Sequence, residues 1–242
     1  MRNVSANYTP ENEDSQPALR NVSLFISPAQ RIGIMGRSGS GKSSLFLTML
    51  GFIAYEGEIE IDGINIASIS VDDLRSRIVT ISQDQTQFDA TIRINLLPFT
   101  MNDASSKMDE KEKKRDLDLE KLLKSLQIWT PLAKKGGLDA MLDGVGYSKG
   151  QMQLLCIARA ILRQRETGSR LVLVDEGTSS VDAHTEKIVN RVMKENFAGC
   201  SVLTIAHRAS AMADSDDLVR LDRGATVNPN REPDSESAEE EC

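Results

Sequence analysis

A glycine-rich segment, GRSGSGKS at residues 36–43, constrains the fold of this chain more than any other feature of its sequence. It matches the pattern GxxxxGK[ST], in which glycines let successive backbone N–H groups face a phosphate and the lysine adds a mobile positive charge. The pattern binds phosphate only where a strand enters the loop and a helix leaves it, because the helix N-terminus attracts anions. Residues 31–35 form a short apolar segment typical of a buried strand, and residues 42–50 have helical spacing and end at Gly51. The local sequence therefore predicts a nucleotide-binding loop.

Apolar segments of strand length alternate with helical segments along most of the chain. The predicted strands lie at 19–26, 31–35, 58–61, 78–82, 171–175, 201–206 and 218–221, and the predicted helices at 42–50, 71–77 and 184–197. Asp62 and Gly63 predict a hairpin turn after the third strand. Such alternation indicates a largely parallel sheet with helices on both faces.

The central region, from about residue 91 to residue 165, lacks convincing strands. Leu119, Leu122, Leu123 and Leu126 fall at the spacing of one helix face. A charged run around residues 107–115 precedes them, and we interpret it as a solvated loop or linker rather than a binding patch. We therefore expect an all-helical insertion in the α/β fold.

The composition of the chain excludes several classes of protein. The 242 residues, 40% apolar and 27% charged, fit a soluble globular protein with one substantial core. The sequence has no apolar run of the roughly 18–20 residues needed to span a bilayer and no secretory signal. No basic stripe interleaved with aromatic residues appears, so we expect no nucleic-acid partner. The three cysteines lack metal-ligand spacing and suit a reducing cytosol as small core residues or a tail thiol.

The negative charge of the chain is concentrated at its C-terminal end. Residues 228–242 contain six acidic residues and one arginine, so they carry −5 of the net charge of −7. This segment has no apolar anchor and cannot bury enough surface to order itself. We predict a folded domain at 1–227 followed by a disordered acidic tail at 228–242, either simply solvated or used for an interaction.

Two consecutive carboxylates, Asp175 and Glu176, end the apolar segment LVLVDE. A carboxylate at the C-terminal edge of a sheet can reach a Mg²⁺ ion at the phosphate-binding loop, which we predict for Asp175 together with the hydroxyl of Ser43. Glu176 would point elsewhere, because successive side chains of a strand alternate. Free of a metal and beside the γ-phosphate, it could polarise an attacking water, with Lys42 neutralising phosphate charge. The alternative is a pair of solvent-exposed turn carboxylates.

Gln83 and His207 each follow a predicted strand, in TISQD and TIAHR. The amide of Gln83 could ligate Mg²⁺ or its water. Taken alone, each is more typical of a loop or surface residue.

Between Tyr147 and Arg163 the chain reads YSKGQMQLLCIARAILR, and the carboxylate strand LVLVDE follows eight residues later. Together with the phosphate-binding loop, this pair resembles the ATP-binding cassette of ABC transporters. The resemblance covers residues 8–224, nearly the whole chain, and is strongest to the second cassette of the multidrug-resistance-associated (C) subfamily. It rests on the segments NVSL, QDQTQFDATIRINLLPF, GGLDAML, GQMQLLCIARAILR, DEGTSSVD and TIAHR.

The resemblance assigns roles to particular positions. Gln83 becomes the glutamine that contacts Mg²⁺ and couples to the transmembrane domains, and His207 the histidine at the γ-phosphate. Tyr8 matches the aromatic residue that stacks on adenine, although it could also be an unpacked N-terminal residue. Residues 148–151, here called the signature segment, would cap the nucleotide of a partner cassette. The expected metal ligands are Ser43, Gln83 and Asp175, and the expected catalytic residues are Glu176, His207 and Lys42. The expected nucleotide-binding set is Tyr8, Gly36, Arg37, Ser38, Gly39, Ser40, Gly41, Lys42, Ser43, Ser44, Gln83, Ser148, Gly150, Gln151 and Asp182.

The same resemblance implies a P-loop NTPase sheet, mostly parallel, with an antiparallel β subdomain at its edge and the inserted helical subdomain at about 91–165. It implies ATP and Mg²⁺ as cofactors, a second cassette as partner, and transmembrane domains supplied by another chain or a missing region. The expected function is hydrolysis of MgATP at the cytoplasmic side of a membrane to power a C-subfamily-like exporter. Two alternatives remain: a cassette that binds nucleotide or a partner without turnover, and a soluble ABC ATPase, which usually carries two cassettes in one chain.

Three features depart from the family pattern. Tyr147 and Lys149 replace the usual leucine and glycine of the signature, and Gly177 stands where alanine is common. The chain also contains none of the transmembrane helices that precede such a cassette, so we expect it to transport nothing alone. We expect Lys149 to be tolerated because its signature faces a weakly hydrolytic site; alternatively, Lys149 points to solvent in an active homodimer.

Overall fold

The computed structural model describes residues 1–9, 11, 16–98, 110–175, 182–206, 212 and 214–227, which form eleven strands and eight α-helices. The strands are β1 (Arg2–Asn7), β2 (Leu19–Val22), β3 (Arg31–Met35), β4 (Ala54–Glu58), β5 (Glu60–Ile61), β6 (Ile64–Asn65), β7 (Ile78–Ile81), β8 (Leu171–Asp175), β9 (Ser201–Ile205), β10 (Asp217–Asp222) and β11 (Ala225–Val227). The α-helices are α1 (Lys42–Met49), α2 (Val71–Ser76), α3 (Ile92–Leu96), α4 (Glu110–Ser125), α5 (Trp129–Ala133), α6 (Leu142–Val145), α7 (Lys149–Thr167) and α8 (Ala183–Asn196).

The largest sheet has six strands in the order β11-β10-β3-β9-β8-β7. Its five strands from β10 to β7 are mutually parallel, and only β11 pairs antiparallel to its neighbour β10. The first four residues of β8 are buried, which is typical of a parallel strand covered on both faces. The predicted mostly parallel α/β sheet is confirmed.

A smaller antiparallel sheet has the order β2-β1-β4, and β5 and β6 form a separate hairpin. The hairpin turns at Asp62 and Gly63, with φ angles of 51° and 78°. Positive φ at both central residues is the requirement of a type I′ turn, which matches the twist of the flanking strands. The predicted antiparallel subdomain and hairpin turn are both confirmed.

Every regular element that the structure describes between β7 and β8 is helical. Helix α4 buries Leu119, Leu122 and Leu123, and Leu126 is buried directly after the helix ends; each is at most 4% exposed. These leucines share one apolar cluster with residues of α7 and with buried residues of β7 and β8. Helix α7, which begins at the signature segment, is therefore anchored to the large sheet through this shared apolar cluster. The boundaries of a cassette domain at 1–227 stay a prediction, and residues 228–242 lie outside the described residues.

Two predictions about local structure are wrong. The strand expected at 19–26 ends at Val22, and its pairing with β1 has an irregular register. The loop expected at 107–115 is helical from residue 110 onward, while residues 107–109 lie outside the described part of the chain. Lys, Glu and Arg are strong helix formers, so the helix extends from its buried leucines back into the charged run.

Sequence reasoning also missed strands β1, β4 and β11, and the strand expected at 58–61 is present only as β5, Glu60–Ile61. Val4 and Ala6 of β1 are almost fully buried, and the strand pairs with both β2 and β4. Two small apolar residues in a polar segment are too weak a period-two signal to predict such a central strand. No helix within the described ranges is long and apolar enough to cross a membrane.

Candidate nucleotide-binding site

The register of the parallel sheet brings the ends of three strands together. Ile34 of β3 pairs with Ile205 of β9, and Ile205 pairs with Asp175, the last residue of β8. Because neighbouring strands lie about 4.8 Å apart, the Asp175 backbone is about 10 Å from the end of β3. The glycine-rich loop starts at this end, so a loop of backbone donors and a carboxylate share one edge of the sheet.

The loop from Gly36 to Lys42 is compact because two of its glycines have no room for a side chain. A Cβ atom at Gly36 would overlap the carbonyl oxygen of Leu221 and the Ser40 hydroxyl. At Gly41, where φ is 101°, a Cβ would lie 2.8 Å from the carbonyl oxygen of Ala18. At these positions the loop lies directly against the residue before β2 and against strand β10, so only glycine fits there without a clash.

Lys42 places its ammonium group inside the loop. Its Nζ donates hydrogen bonds to the carbonyl oxygens of Gly36 and Arg37, both at 2.9 Å, and the residue is only 7% exposed. Arg37, Ser38, Gly39 and Ser43 are exposed, whereas Ser40 and Ser44 are buried. A buried ammonium group beside the N-terminus of α1 is suited to bind a polyphosphate.

Tyr8 follows β1 directly and reaches the first turn of α1. Its hydroxyl oxygen lies 3.0 Å from the Oγ atom of Ser44, yet the residue is 59% exposed. The structure therefore brings Tyr8 to the phosphate-binding loop and leaves part of its ring accessible.

Asp175 ends strand β8, and Gln83 lies in the loop that follows the adjacent strand β7. Strand β7 pairs with β8 through Ile81 and Val174, and Gln83 follows two residues after β7 ends. Gln83 is exposed and Asp175 partly buried. Together with the exposed hydroxyl of Ser43, they are hard oxygen donors of the kind that Mg²⁺ prefers. A Mg²⁺ ion needs only one or two carboxylates when phosphates supply further ligands, which fits this donor set. The described residues contain no cluster of three or more His, Cys, Asp or Glu side chains arranged for a metal.

Asp182 caps helix α8. Its carboxylate accepts hydrogen bonds from the Thr185 hydroxyl at 2.7 Å and from the backbone N–H groups of His184 and Thr185 at 2.9 and 3.0 Å. These bonds favour the charged form and lower the pKa of Asp182 below its ordinary value. Sequence reasoning had assigned Asp182 only to the nucleotide site, although an aspartate before a helical segment is a typical N-cap.

The signature segment forms the first turn of α7. The Ser148 Oγ accepts from the Gln151 N–H at 3.2 Å, and the Gln151 Oε1 accepts from the Ser148 N–H at 3.0 Å. This reciprocal capping box fixes the start of the helix, while Ser148 and Lys149 stay exposed and Gly150 is half-buried. Just upstream, the Tyr147 hydroxyl donates to the Ile128 carbonyl oxygen at 2.9 Å, and burial raises the pKa of Tyr147 to about 12.

Two residues that sequence reasoning missed organise the segment after Gln83. The fully buried side chain of Asn95 accepts from the Phe88 N–H and donates to the Phe88 carbonyl oxygen, both at 2.9 Å. Arg159 of α7 donates to the carbonyl oxygens of Asn95 at 2.6 Å and Thr86 at 2.9 Å. Burial lowers the pKa of Arg159. The sequence feature that could have identified Asn95 and Arg159 is a polar side chain within each of two apolar helical runs, INLL and ARAIL.

The residues placed so far divide into two groups. The loop, Tyr8, Gln83 and Asp175 lie around the C-terminal edge of the large sheet, whereas the signature segment begins a helix of the inserted region. Glu176 and His207 lie outside the described residues, so their predicted positions remain untested.

Comparison with known proteins identifies the class to which this fold and site belong. The family described as ABC transporter matches residues 19–179. The chain is 39% identical over 217 residues to "ABC transporter C family member 3" of Dictyostelium discoideum, covering 88% of this chain and 14% of that protein. It is 37% identical over 230 residues to "ATP-binding cassette sub-family C member 3" of Mus musculus, covering 94% of this chain and 14% of that protein.

A solved structure gives the same result. A bacterial Atm1-family ABC exporter with ATP bound superposes with a TM-score of 0.77 at 28% identity, covering 94% of this chain and 37% of that one. The fold and the loop define an ATP-binding cassette. The chain belongs to the ABC transporter family, and its likeness to C-subfamily members is confirmed. It spans about a seventh of the length of the curated relatives described here.

Proposed function

We propose that this chain binds MgATP at residues 36–44 and hydrolyses it to power a C-subfamily-like membrane exporter. The observation that carries the proposal is the juxtaposition of the Lys42 loop and Asp175 at neighbouring strand ends of one parallel sheet. The family match supports an ATP-dependent function of this kind. As a part of a longer transporter or of a complex, the chain would work at the cytoplasmic face of a membrane.

Residues on both sides of the loop would hold the nucleotide. Lys42 and the backbone N–H groups at 36–44 bind the phosphates, and the half-exposed ring of Tyr8 stacks on the purine. Ser43, Gln83 and Asp175 would hold Mg²⁺, which neutralises charge on the β- and γ-phosphate oxygens when bound. Because stacking accepts either purine, Tyr8 does not select ATP over GTP.

Hydrolysis would depend on Glu176 and His207, which follow the neighbouring strands β8 and β9 in the sequence. Glu176 follows Asp175 and would accept a proton from the attacking water, and His207 would donate to the γ-phosphate. The family resemblance of DEGTSSVD and TIAHR supports these roles.

A complete site would need a second cassette. The first turn of α7 is fixed by its capping box and leaves Ser148 and Lys149 exposed, so a nucleotide held by a partner could approach it. Ser148, Gly150 and Gln151 of each chain would then cover the nucleotide of the other, and Asp182 would lie near the shared interface. Transmembrane domains would come from another chain or from further sequence.

A titration of the purified chain with MgATP tests the proposal directly. Lys42→Ala should weaken binding and abolish turnover, because the phosphates lose their buried charge partner. Lys134→Ala is a matched control, since Lys134 is exposed and lies outside the site. Unchanged ATP affinity in Lys42→Ala would contradict the loop assignment.

Activity should also depend on dimerisation. We expect ATPase activity to rise more steeply than protein concentration, because only a dimer places a signature segment over the nucleotide. A specific activity independent of dilution, from a proven monomer, would contradict the dimer. Nucleotide binding without steady turnover at any concentration or with any partner would favour the alternative function, a cassette that binds without hydrolysis.

A further inference from the structure

The turn between β10 and β11 connects the phosphate-binding loop to strand β2. The backbone N–H of Gly224 in this turn donates to the carbonyl oxygen of Ser40 at 3.0 Å, and its carbonyl oxygen accepts from the Arg20 N–H at 2.7 Å. Gly224 is buried, although it lies in the tight turn of a hairpin at the edge of the large sheet. The two backbone groups of this one residue therefore bridge the loop and a strand of the smaller sheet.

The backbone around Gly224 is packed too closely for a side chain. A Cβ atom at this position would lie 2.7 Å from the carbonyl oxygen of Ala18 and 3.3 Å from the Leu19 Cα. The same Ala18 oxygen limits Gly41, whose Cβ would also lie 3.4 Å from the Cα of Gly224. Gly41 of the loop, Gly224 of the turn and the backbone of Ala18 therefore form one contact, here called the glycine contact.

The geometry of the hairpin turn does not account for the glycine contact. Arg223 and Gly224 have φ angles of 46° and 81°, the pair of positive values that a type I′ turn requires. The turn between β5 and β6 has almost the same angles, 51° at Asp62 and 78° at Gly63. Gly63, however, is exposed, and a Cβ there would meet no atom of the described residues within 4 Å. The glycine contact thus follows from the place of Gly224 against the loop rather than from its turn.

The hydrogen bond from Gly224 fixes one peptide unit of the loop. The peptide between Ser40 and Gly41 is planar and trans, so its carbonyl oxygen and its N–H point in opposite directions. Because Gly224 holds the carbonyl oxygen, the Gly41 N–H is directed away from the turn. Glycine adopts positive and negative φ about equally well, so without this bond the peptide unit could rotate at Gly41.

We propose that Gly224 is a positioning residue for the phosphate-binding loop, which keeps the Gly41 N–H turned toward a bound phosphate. The turn holds the Ser40 carbonyl oxygen on its own side of the loop, so a phosphate on the other side meets the N–H. A rotated peptide would present the negative end of the carbonyl to the anion and weaken binding. The inference rests on the proposed function, because it requires a phosphate at the loop.

Replacement of Gly224 by alanine tests the glycine contact, and the same change at Gly63 is the matched control. Alanine at a positive φ strains either turn, so both variants should lose stability. Only Gly224→Ala adds a Cβ against the backbone of Ala18, which must move the turn relative to the loop. Neither residue belongs to the proposed nucleotide-binding set.

Equilibrium titration of the full chain with MgATP measures the effect on binding. Gly63→Ala should bind within about twofold of the wild type, whereas Gly224→Ala should bind at least about tenfold more weakly, a difference of about 1.4 kcal/mol. If the affinity of Gly224→Ala lies within about twofold of that of Gly63→Ala, the proposal is wrong.

The NMR signal of the Gly41 amide proton gives a result that a loss of stability does not imitate. In the wild type and in Gly63→Ala, this signal should move downfield at saturating MgATP, because the N–H forms a hydrogen bond to phosphate. In Gly224→Ala it should move much less. Equal movement of the Gly41 signal in the two alanine variants would overturn the proposal, whatever their affinities.

A second substitution separates positioning from folding. Arg223→Asn favours the type I′ turn, because Asn adopts positive φ more readily than Arg, so it should raise the melting temperature of Gly224→Ala. The double variant should still bind MgATP weakly, since the Cβ at residue 224 still meets Ala18. Recovery of the affinity together with the melting temperature would show that Gly224→Ala acts through stability alone.

The wild type itself provides a test that needs no variant. MgATP should slow hydrogen exchange at the Gly224 amide, because a bound phosphate holds the peptide whose carbonyl oxygen accepts from that amide. The Gly63 amide is the reference and should not change. Unchanged exchange at Gly224 in the MgATP-bound wild type would contradict the proposal even if the alanine variants failed to fold.

The outcome also distinguishes this inference from the proposed function. If the wild type binds MgATP and Lys42→Ala does not, a negative result for Gly224 overturns this inference alone. If the wild type binds no MgATP, the proposed function and the positioning role of Gly224 are both wrong.

Discussion

The hydroxyl oxygen of Tyr8 lies 3.0 Å from the Oγ of Ser44, which ties the end of β1 to the first turn of the helix after the phosphate-binding loop. The adjacent strand is firmly anchored, because β1 pairs with β2 on one edge and with β4 on the other. Tyr8 is thus held at its hydroxyl and lies directly after an anchored strand, while the residue as a whole is 59% exposed. This arrangement suits a ring on which a purine stacks.

Replacements of Tyr8 should separate its ring from its hydroxyl. Tyr8→Ala should weaken ATP and GTP binding alike by about tenfold, because base–aromatic stacking contributes about 1–3 kcal/mol per base. Tyr8→Phe should bind both nucleotides within about twofold of the wild type, since it preserves the stacking surface. Equilibrium titration measures both, with Phe25→Ala as the control, since Phe25 is 84% exposed. Equal losses in Tyr8→Phe and Tyr8→Ala would assign the effect to the Ser44 contact instead.

The parts of the fold that sequence predicted well are those with strong local signals. The glycine-rich loop requires a strand before it and a helix after it, and the structure has β3 and α1 at those places. The Asp62-Gly63 turn and the leucine face of α4 are likewise set by residues close together in sequence. Local chemistry is sufficient for such features.

The features that sequence missed depend on partners far along the chain. Strand β1 is central because β2 and β4 pair with it, not because its own residues are strongly apolar. Asn95 and Arg159 fix the segment after Gln83 through contacts 64 residues apart, which no periodicity in one chain reveals. The helix at 110–115 similarly continues from leucines buried further along α4.

Glu176→Gln should separate nucleotide binding from hydrolysis. The variant keeps the shape of the side chain and leaves the phosphate loop intact, but it removes the carboxylate that polarises water. We expect retained MgATP binding, a longer-lived ATP-bound dimer, and hydrolysis lower by roughly 10²-fold or more. Glu195→Gln, at an exposed position of α8, controls for the change in charge. Turnover at the wild-type rate in Glu176→Gln would show that another group acts as the base.

The cap at Asp182 should make stability depend on pH. Its folded-state pKa is lowered because the carboxylate accepts hydrogen bonds, so the stabilisation is present above the unfolded pKa of about 3.9. It is lost as pH falls through the lower, folded-state pKa. Asn is an equally good N-cap that does not titrate, so the melting temperature of Asp182→Asn should fall less steeply than that of the wild type below about pH 4. Parallel curves for both proteins, with Asp89→Asn as an exposed control, would contradict this role.

Lys149 is the first residue of α7, and its exposed side chain extends from the signature segment while its carbonyl oxygen is held by Gln85. A small residue there would let the helix backbone approach a γ-phosphate across a dimer, whereas lysine adds bulk and a charge. We therefore expect this signature to cover a site that binds ATP and seldom cleaves it. In that case, the chain's own loop and Glu176 hydrolyse ATP efficiently only beneath the signature of a first-type cassette, that is, a partner like the first cassette of a C-subfamily transporter.

Mixing this chain with a first-type cassette, with glycine at the position of Lys149, tests the asymmetry. The mixture should hydrolyse ATP faster than either chain alone, because it contains one complete hydrolytic site. Lys149→Gly should increase cleavage at the second site, since the backbone N–H groups at the helix N-terminus can then reach the phosphate. Lys134→Gly, an exposed residue just after α5, should leave the rate unchanged. A different outcome would contradict the asymmetry: a mixture no more active than this chain alone, together with an unchanged rate in Lys149→Gly. Lys149 would then point to solvent in an active homodimer, because a lysine between the signature and a phosphate would have altered the rate of the mixture or of the variant.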